Sequence, residues 1–287
     1  GSAALELDAT SIMARENRDN PLGQVDGYIA RRTTTGTKTD TALLENPQAI
    51  SVITRERMDD MGVQRIDEAL RYTSGVRSDS GGANNPADNI YLRGYAISFT
   101  YKDGLRLRPL GFFGMFGEEP YGLERVEVLK GPTSILYGQN DPGGMVNTLS
   151  KRPTDDDRGE VGLSFGSDHR RQLSLDTSGP LSDTLSYRFV ALGREADGAY
   201  DHTADDRAYV APSLTWKPDE FTSLTLLTSY QKNKALAPTT IPWAAVNGSS
   251  AYGKVPMERF IGEPSFDFEE VESTSIGYEF SHTFNDV

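Results

Sequence analysis

The chain has 287 residues, with 29 Lys and Arg against 42 Asp and Glu, for a net charge of −13. That length holds one large domain or two ordinary ones, and an acidic chain without a basic stripe argues against a nucleic-acid ligand. The absence of Cys excludes disulfide frameworks, thiolate metal sites and cysteine nucleophiles, and no run of about 18 apolar residues offers a transmembrane helix.

A polar average does not exclude a membrane strand, because a spanning β-strand shows apolar side chains to lipid only at alternate positions. Gly1-Ser2 reads as a cloning remnant ahead of a processed N-terminus, from which a signal peptide would already be gone. Residues 1–30 are polar and aperiodic, a flexible arm holding one β-prone patch at Leu5-Glu6-Leu7-Asp8-Ala9-Thr10-Ser11-Ile12. From 31 to 153 the texture becomes short strands, short helices and many glycines. Ala49 to Thr54 reads as a strand, Arg55–Met61 and Gln64–Tyr72 as helices with Gly75 as a stop, and Val126–Leu129 as another strand. Gly131-Pro132 and Asp141-Pro142-Gly143-Gly144 are strong turn signals. The expectation is a compact mixed α/β domain.

After Lys151-Arg152-Pro153 the pattern changes to strands near 159–167, 170–178, 184–195, 207–217, 222–233 and 271–284. Alternation is clearest where Leu173, Leu175 and Thr177 oppose Gln172, Ser174 and Asp176, and where Ile276, Tyr278 and Phe280 oppose Ser275, Gly277 and Glu279. Gly179-Pro180-Leu181-Ser182-Asp183 and Lys217-Pro218-Asp219-Glu220 read as tight turns. They alternate with longer loops, an acidic one at 196–206 and one of about 37 residues after the fifth strand, the asymmetry of outer-membrane barrels. A soluble β-sandwich with mixed loop lengths stays open at this point.

Motifs narrow the choice. Thr35-Gly36-Thr37-Lys38-Thr39-Asp40-Thr41 and Asn46-Pro47-Gln48-Ala49-Ile50-Ser51-Val52 come first, then Leu92-Arg93-Gly94 and Asp103-Gly104. The long run Leu123-Glu124-Arg125-Val126-Glu127-Val128-Leu129-Lys130-Gly131-Pro132 follows, then Leu136-Tyr137-Gly138, Pro142-Gly143-Gly144 and Asn147. In this order they resemble TonB-dependent siderophore receptors of the ferrichrome, or ferric-hydroxamate, type, over nearly all of residues 5–287. The resemblance implies a mixed α/β plug at 31–153 and, at 154–287, the N-terminal part of an antiparallel transmembrane β-barrel. About six strands are present of the roughly 22 that a plug-holding barrel needs, so a longer parent protein is expected. It also implies that residues 5–12, centred on Leu5, Glu6, Leu7, Asp8, Ala9 and Thr10, form a TonB box grasped by strand addition.

The function implied is TonB-coupled import of a ferric siderophore, with hydroxamate the expected type, across a Gram-negative outer membrane. The partners implied are TonB with its inner-membrane energising complex, the siderophore, and outer-membrane lipid and lipopolysaccharide around a monomer. Iron would arrive already chelated, so no resident cofactor or metal ligand is expected, and the scattered His169, His202 and His282 offer no metal spacing. By the resemblance, Phe112 and Phe113 match an aromatic pair at the plug top, and Trp243 matches a pocket tryptophan, although it also fits an interfacial aromatic belt. Tyr252 and Phe260 are weaker candidates. The family's ferrichrome-binding arginine is replaced by Gly81, with Arg77 nearby but offset, a departure that counts against ferrichrome itself. Arg93 and Lys130 match plug residues that lock onto barrel carboxylates, here expected beyond residue 287. No nucleophile–base pair or phosphate loop suggests an enzyme. The alternatives are a receptor for another metal chelate or a vitamin, and a non-transporting adhesin or pore.

Overall fold

The computed structural model describes residues 20–25, 27–46, 48–78, 88–107, 117–132, 134–198, 200–235, 241–256 and 258–284. Residues 20–30, expected to belong to a flexible arm, instead lie against the domain that follows, held by bonds such as Thr54 Oγ1 to the Gly27 carbonyl at 2.8 Å. β1 (Arg32–Thr33) and β2 (Thr41–Ala42) form a short antiparallel pair. β3 (Ala49–Thr54) runs straight into α1 (Arg55–Asp60), whose first turn is capped by the Thr54 hydroxyl. α2 (Ile66–Ala69) follows, and both helices are shorter than expected. Gly62 at φ +61° and the αR C-cap at Leu70 end them within the connecting turns.

Next come β4 (Val76–Arg77), β5 (Tyr91–Leu92) and β6 (Tyr95–Ala96), a small three-stranded sheet, and then the hairpin β7 (Tyr101–Lys102) and β8 (Leu105–Arg106). A 3-10 turn at Pro120–Gly122 leads into β9 (Leu123–Lys130), followed by α3 (Ser134–Tyr137) and β10 (Gly144–Ser150). The plug's main sheet has the order β3-β9-β10-β7-β8, with β9 central-lying and antiparallel to both of its neighbours. Val126 and Val128 on one face of β9 join a core of Ile53, Met58, Ile66, Leu70 and Leu92. The opposite face carries two wholly buried charges, Arg125 and Glu127.

The second unit is a six-stranded antiparallel meander in sequence order: β11 (Arg158–Phe165), β12 (Arg171–Ser182), β13 (Leu185–Glu195), β14 (Asp206–Trp216), β15 (Thr222–Ala235) and β16 (Glu269–His282). The reading of 179–183 as a turn needs correction. β12 continues to Ser182 and the chain reverses at 183–184, while a register shift between Pro180 and Ser182 absorbs the proline's missing N–H. α4 (Trp243–Asn247) lies in the long connection between β15 and β16.

The two faces of this sheet are inverted relative to a water-soluble protein. Leu163, Phe165, Leu173, Trp216, Leu226, Ile276, Tyr278 and Phe280 are exposed, whereas Ser174, Asp176, Arg194, Arg207, Thr215, Gln231 and Asn233 are buried, beside a smaller apolar cluster of Val190, Leu192 and Tyr209. Apolar outside and polar inside is the pattern of a barrel wall in lipid. No helix among the described residues is long and apolar enough to cross a membrane, which leaves crossing by strands untouched.

Candidate functional site

Of the residues singled out above, Gly81, Phe112, Phe113 and Leu5 through Thr10 lie outside the described residues. What the structure does show is the described residues that follow the two segments holding Gly81 and the phenylalanine pair. Segment 79–87 is followed by Asp88 and segment 108–116 by Gly117. The Asp88 carboxylate accepts the Ile66 and Asp67 N–H groups at 3.1 and 3.3 Å, and the Glu118 N–H at 3.3 Å. A single side chain therefore joins Asp88 and Glu118, which follow the two segments, to the start of α2. Burial, followed by the negative charge of Asp67, pushes the Asp88 carboxyl up to about 7; Arg65 and Arg207 oppose the shift.

The residues after the second segment are also bolted to the wall. The Gly117 carbonyl accepts from Gln231 Nε2 at 2.7 Å and Asn233 Nδ2 at 3.3 Å, and Glu119 N–H donates to Gln231 Oε1 at 3.0 Å. Beside it Lys102 and Glu118 form a buried ion pair at 2.9 Å. Burial works against the Lys102 ammonium, but the Glu118 carboxylate outweighs it and raises its pKa. Between the β7–β8 hairpin and strands β15 and β16 lies a cavity of about 390 Å³, bordered by Lys102, Arg106, Ser229, Ser275, Gly277 and Glu279. Its size falls in the range of small-molecule sites. The short side chains on the wall strands leave this room, and Arg106 stacks on Phe99 at 3.4 Å along its plug side.

Arg77 is exposed, with its guanidinium 4.7 Å above the Tyr91 ring. Trp243 opens α4 and is 74% exposed; Tyr252 is fully exposed on the same connection, and Phe260 is buried. Among the described residues no hydrogen bond or ring contact brings Trp243 or Tyr252 onto the plug.

Lys130 and Arg93 lie side by side. Lys130 Nζ donates to Ser74 Oγ at 2.9 Å, and burial, with Arg93 adding to it, lowers its pKa. Neither meets a carboxylate among the described residues. Four other ion pairs do cross from plug to wall: Glu119–Arg207 at 2.9 Å, Glu124–Arg188 at 3.5 Å, Lys151–Asp176 at 2.7 Å and Arg152–Glu279 at 2.5 Å. Sequence reasoning missed all four. Their signal was present, since Asp176, Arg188, Arg207 and Glu279 are charged residues on the inward face of amphipathic strands. Among the described residues no group of His, Asp and Glu could hold a metal ion.

Residues 42–145 match the family described as the TonB-dependent Receptor Plug Domain. The chain is 36% identical to the ferrioxamine receptor of Yersinia enterocolitica, over 99% of this chain and 40% of that protein. It is also 36% identical to the ferrichrome outer membrane transporter/phage receptor of Escherichia coli K12, over 97% of this chain and 38% of that protein. Among solved structures, P. aeruginosa FpvA in complex with heterologous ferric pyoverdine superposes with a TM-score of 0.82 at 28% identity, over 92% of this chain and 36% of that one. The chain thus spans about two fifths of the length of the curated relatives it matches.

Proposed function

The chain carries the plug domain and barrel strands of a TonB-dependent siderophore receptor, and from that premise we propose that the whole protein imports a ferric siderophore across a Gram-negative outer membrane, driven by TonB. The observation that carries the reading is the packing of a mixed α/β domain, through buried ion pairs, onto the polar face of a sheet whose other face is apolar and exposed. Such an inversion serves a protein seated in lipid with its charges turned inward. In this reading the site binds, holds and releases its cargo.

Cargo meets the plug loops at 79–87 and 108–116 from outside, where Arg77, Phe112 and Phe113 supply a cationic and an aromatic face. Trp243 and Tyr252 approach from the barrel's long connection. Iron remains with its own chelator, so the receptor needs shape, aromatic surface and a few polar hooks. The ferrioxamine and ferrichrome receptors among the relatives support a hydroxamate cargo. Gly81, at the family's arginine position, favours a hydroxamate other than ferrichrome. Arg93 and Lys130 await barrel carboxylates outside this chain. TonB takes residues 5–12 as an added strand and pulls, because the outer membrane holds no gradient of its own.

One experiment on the full-length receptor tests the reading. Tryptophan quenching is measured against ferric hydroxamates, ferric catecholates and cobalamin, with uptake of the best binder followed with and without residues 5–12. The expected outcome is saturable binding of a hydroxamate, kept in the deletion, with uptake lost. Uptake that survives the deletion refutes TonB coupling, and preference for cobalamin moves the cargo to a vitamin.

A further inference from the structure

Among the described residues, a buried guanidinium fastens the arm that precedes the plug. Arg125, on the central-lying strand β9 and only 1% exposed, sends its guanidinium into the arm rather than into the hydrophobic core. Nη2 donates to the carbonyls of Asn20 and Gly23 at 2.9 and 2.5 Å, and Nη1 donates to the Arg32 carbonyl at 3.2 Å. The first two acceptors belong to one turn, closed by Gly23 N–H on the Asn20 carbonyl and by Leu22 N–H on the Asn20 side chain. A rigid planar fork gathering main-chain carbonyls from 20–23 and from 32 pinches the intervening arm into a loop. Glu127, two residues along the same face, lies 3.5 Å from Arg125 and accepts the Thr33 hydroxyl at 2.6 Å. Of the arm's other ties, Gly27 N–H to Glu56 and the Tyr28 hydroxyl to Asp60 are exposed and open to competition from water and salt, while the Thr54 hydroxyl on the Gly27 carbonyl and the buried Val25 and Ala30 add a second, weaker hold.

We propose that Arg125 is the clasp holding residues 20–32 on the plug, so that a pull on residues 5–12 is borne by strand β9 rather than by the arm's surface contacts. The direction of the pull rests on the import reading above; the clasp itself does not. Asn20 is the described residue nearest in sequence to residues 5–12, and its carbonyl is already on Arg125. β9 is flanked by β3 at Thr54 and by β10 at Leu149 opposite Arg125, and its N-terminal end follows the 3-10 turn and Glu119, shortly after segment 108–116. Force entering at Arg125 therefore reaches the strand that leads back to the cargo loops.

The test uses purified full-length receptor with no TonB present. Arg125→Lys keeps the charge beside Glu127 but loses the fork, so it folds more readily than Arg125→Met, which strands a buried carboxylate. Hydrogen exchange is followed over 20–35 and over β9 and β10, and the receptor is pulled by its N-terminus in a force spectrometer. In Arg125→Lys the arm amides should exchange about tenfold faster or more, since bonds to a charged donor are lost, with β9 and β10 unchanged and the first rupture at lower force. An arm that exchanges as in the wild type overturns the proposal. So does loosening of arm and sheet together, the mark of a merely structural residue, or an unchanged first rupture. Uptake that survives deletion of residues 5–12 overturns only what pulls, not the clasp.

Discussion

A carboxylate that receives three N–H groups at the start of a helix would ordinarily sit below its usual range, yet Asp88 lies near 7 because burial and the neighbouring Asp67 charge outweigh those bonds. The sign of the consequence follows from linkage. An unfolded chain releases this proton near 3.8, whereas the folded plug keeps it until about 7. Between those values the folded state holds the extra proton, so rising pH lowers stability across that window and has no further effect above it. Asp88→Asn removes the titration. Between pH 4 and 7.5 wild type should lose on the order of a few kcal/mol more plug stability than Asp88→Asn does, as read by denaturant midpoints at each pH. Parallel pH profiles for the two proteins would remove Asp88 as the cause. This residue carried no sequence signal. An aspartate after a loop is ordinary, and only the fold brings Asp67, Glu118 and α2 around it. Arg93 and Lys130 show the converse, because motif matching picked them out while their described surroundings are Ser74 and each other.

At the scale of elements, the 3-10 turn at Pro120–Gly122 is cut to fit one wall strand. A Cβ at Gly122 would lie 2.0 Å from the Tyr209 hydroxyl, and Tyr209 is 1% exposed and packed with Val190, Leu192 and Tyr121. Neither side has room to yield. Gly122→Ala should therefore push the turn off β14 and destabilise the receptor by about 1–3 kcal/mol. Tyr209→Leu in the same chain removes the hydroxyl and ring atoms that a Cβ at Gly122 would meet at 2.0–2.6 Å and should restore part of the loss; thermal midpoints of the four proteins decide it, and additive effects would mean that the two residues do not press on each other. The strands themselves were readable. β3 was expected from Ala49 to Thr54 and is found there, and all six wall strands fall near their expected places because alternation is a local property. Gly122 was not readable, since its constraint comes from a strand far along the chain. The turn around Pro180 was misread because proline marks both turns and bulged strand ends.

For the whole molecule, the ordered motifs made plug and wall legible, but not how one holds the other. A charged residue at an inward strand position announces only that it needs a partner, and the partner is chosen by how the two units dock. Asp176 shows the result. It accepts from Arg188 Nε and Nη2 at 2.9 and 2.8 Å and from Lys151 Nζ at 2.7 Å, so one wall carboxylate holds a wall cation and a cation at the plug's exit together. Removing its charge leaves Lys151 without its carboxylate and Arg188 with only Glu124 at 3.5 Å, and breaking a buried pair in this way costs about 3–5 kcal/mol. Because Lys151 stands where the plug passes into β11, the loss falls on the seating of the plug rather than on the wall's hydrogen-bonded ladder. Asp176→Asn receptor in a planar bilayer should pass ionic current at a lower urea concentration than wild type. Lys217→Met, which cuts the exposed pair with Asp155, should not change the threshold, since exposed pairs contribute little. Equal thresholds for wild type and Asp176→Asn would mean that the plug is seated by shape and main-chain bonds, with the crossing ion pairs merely neutralised passengers.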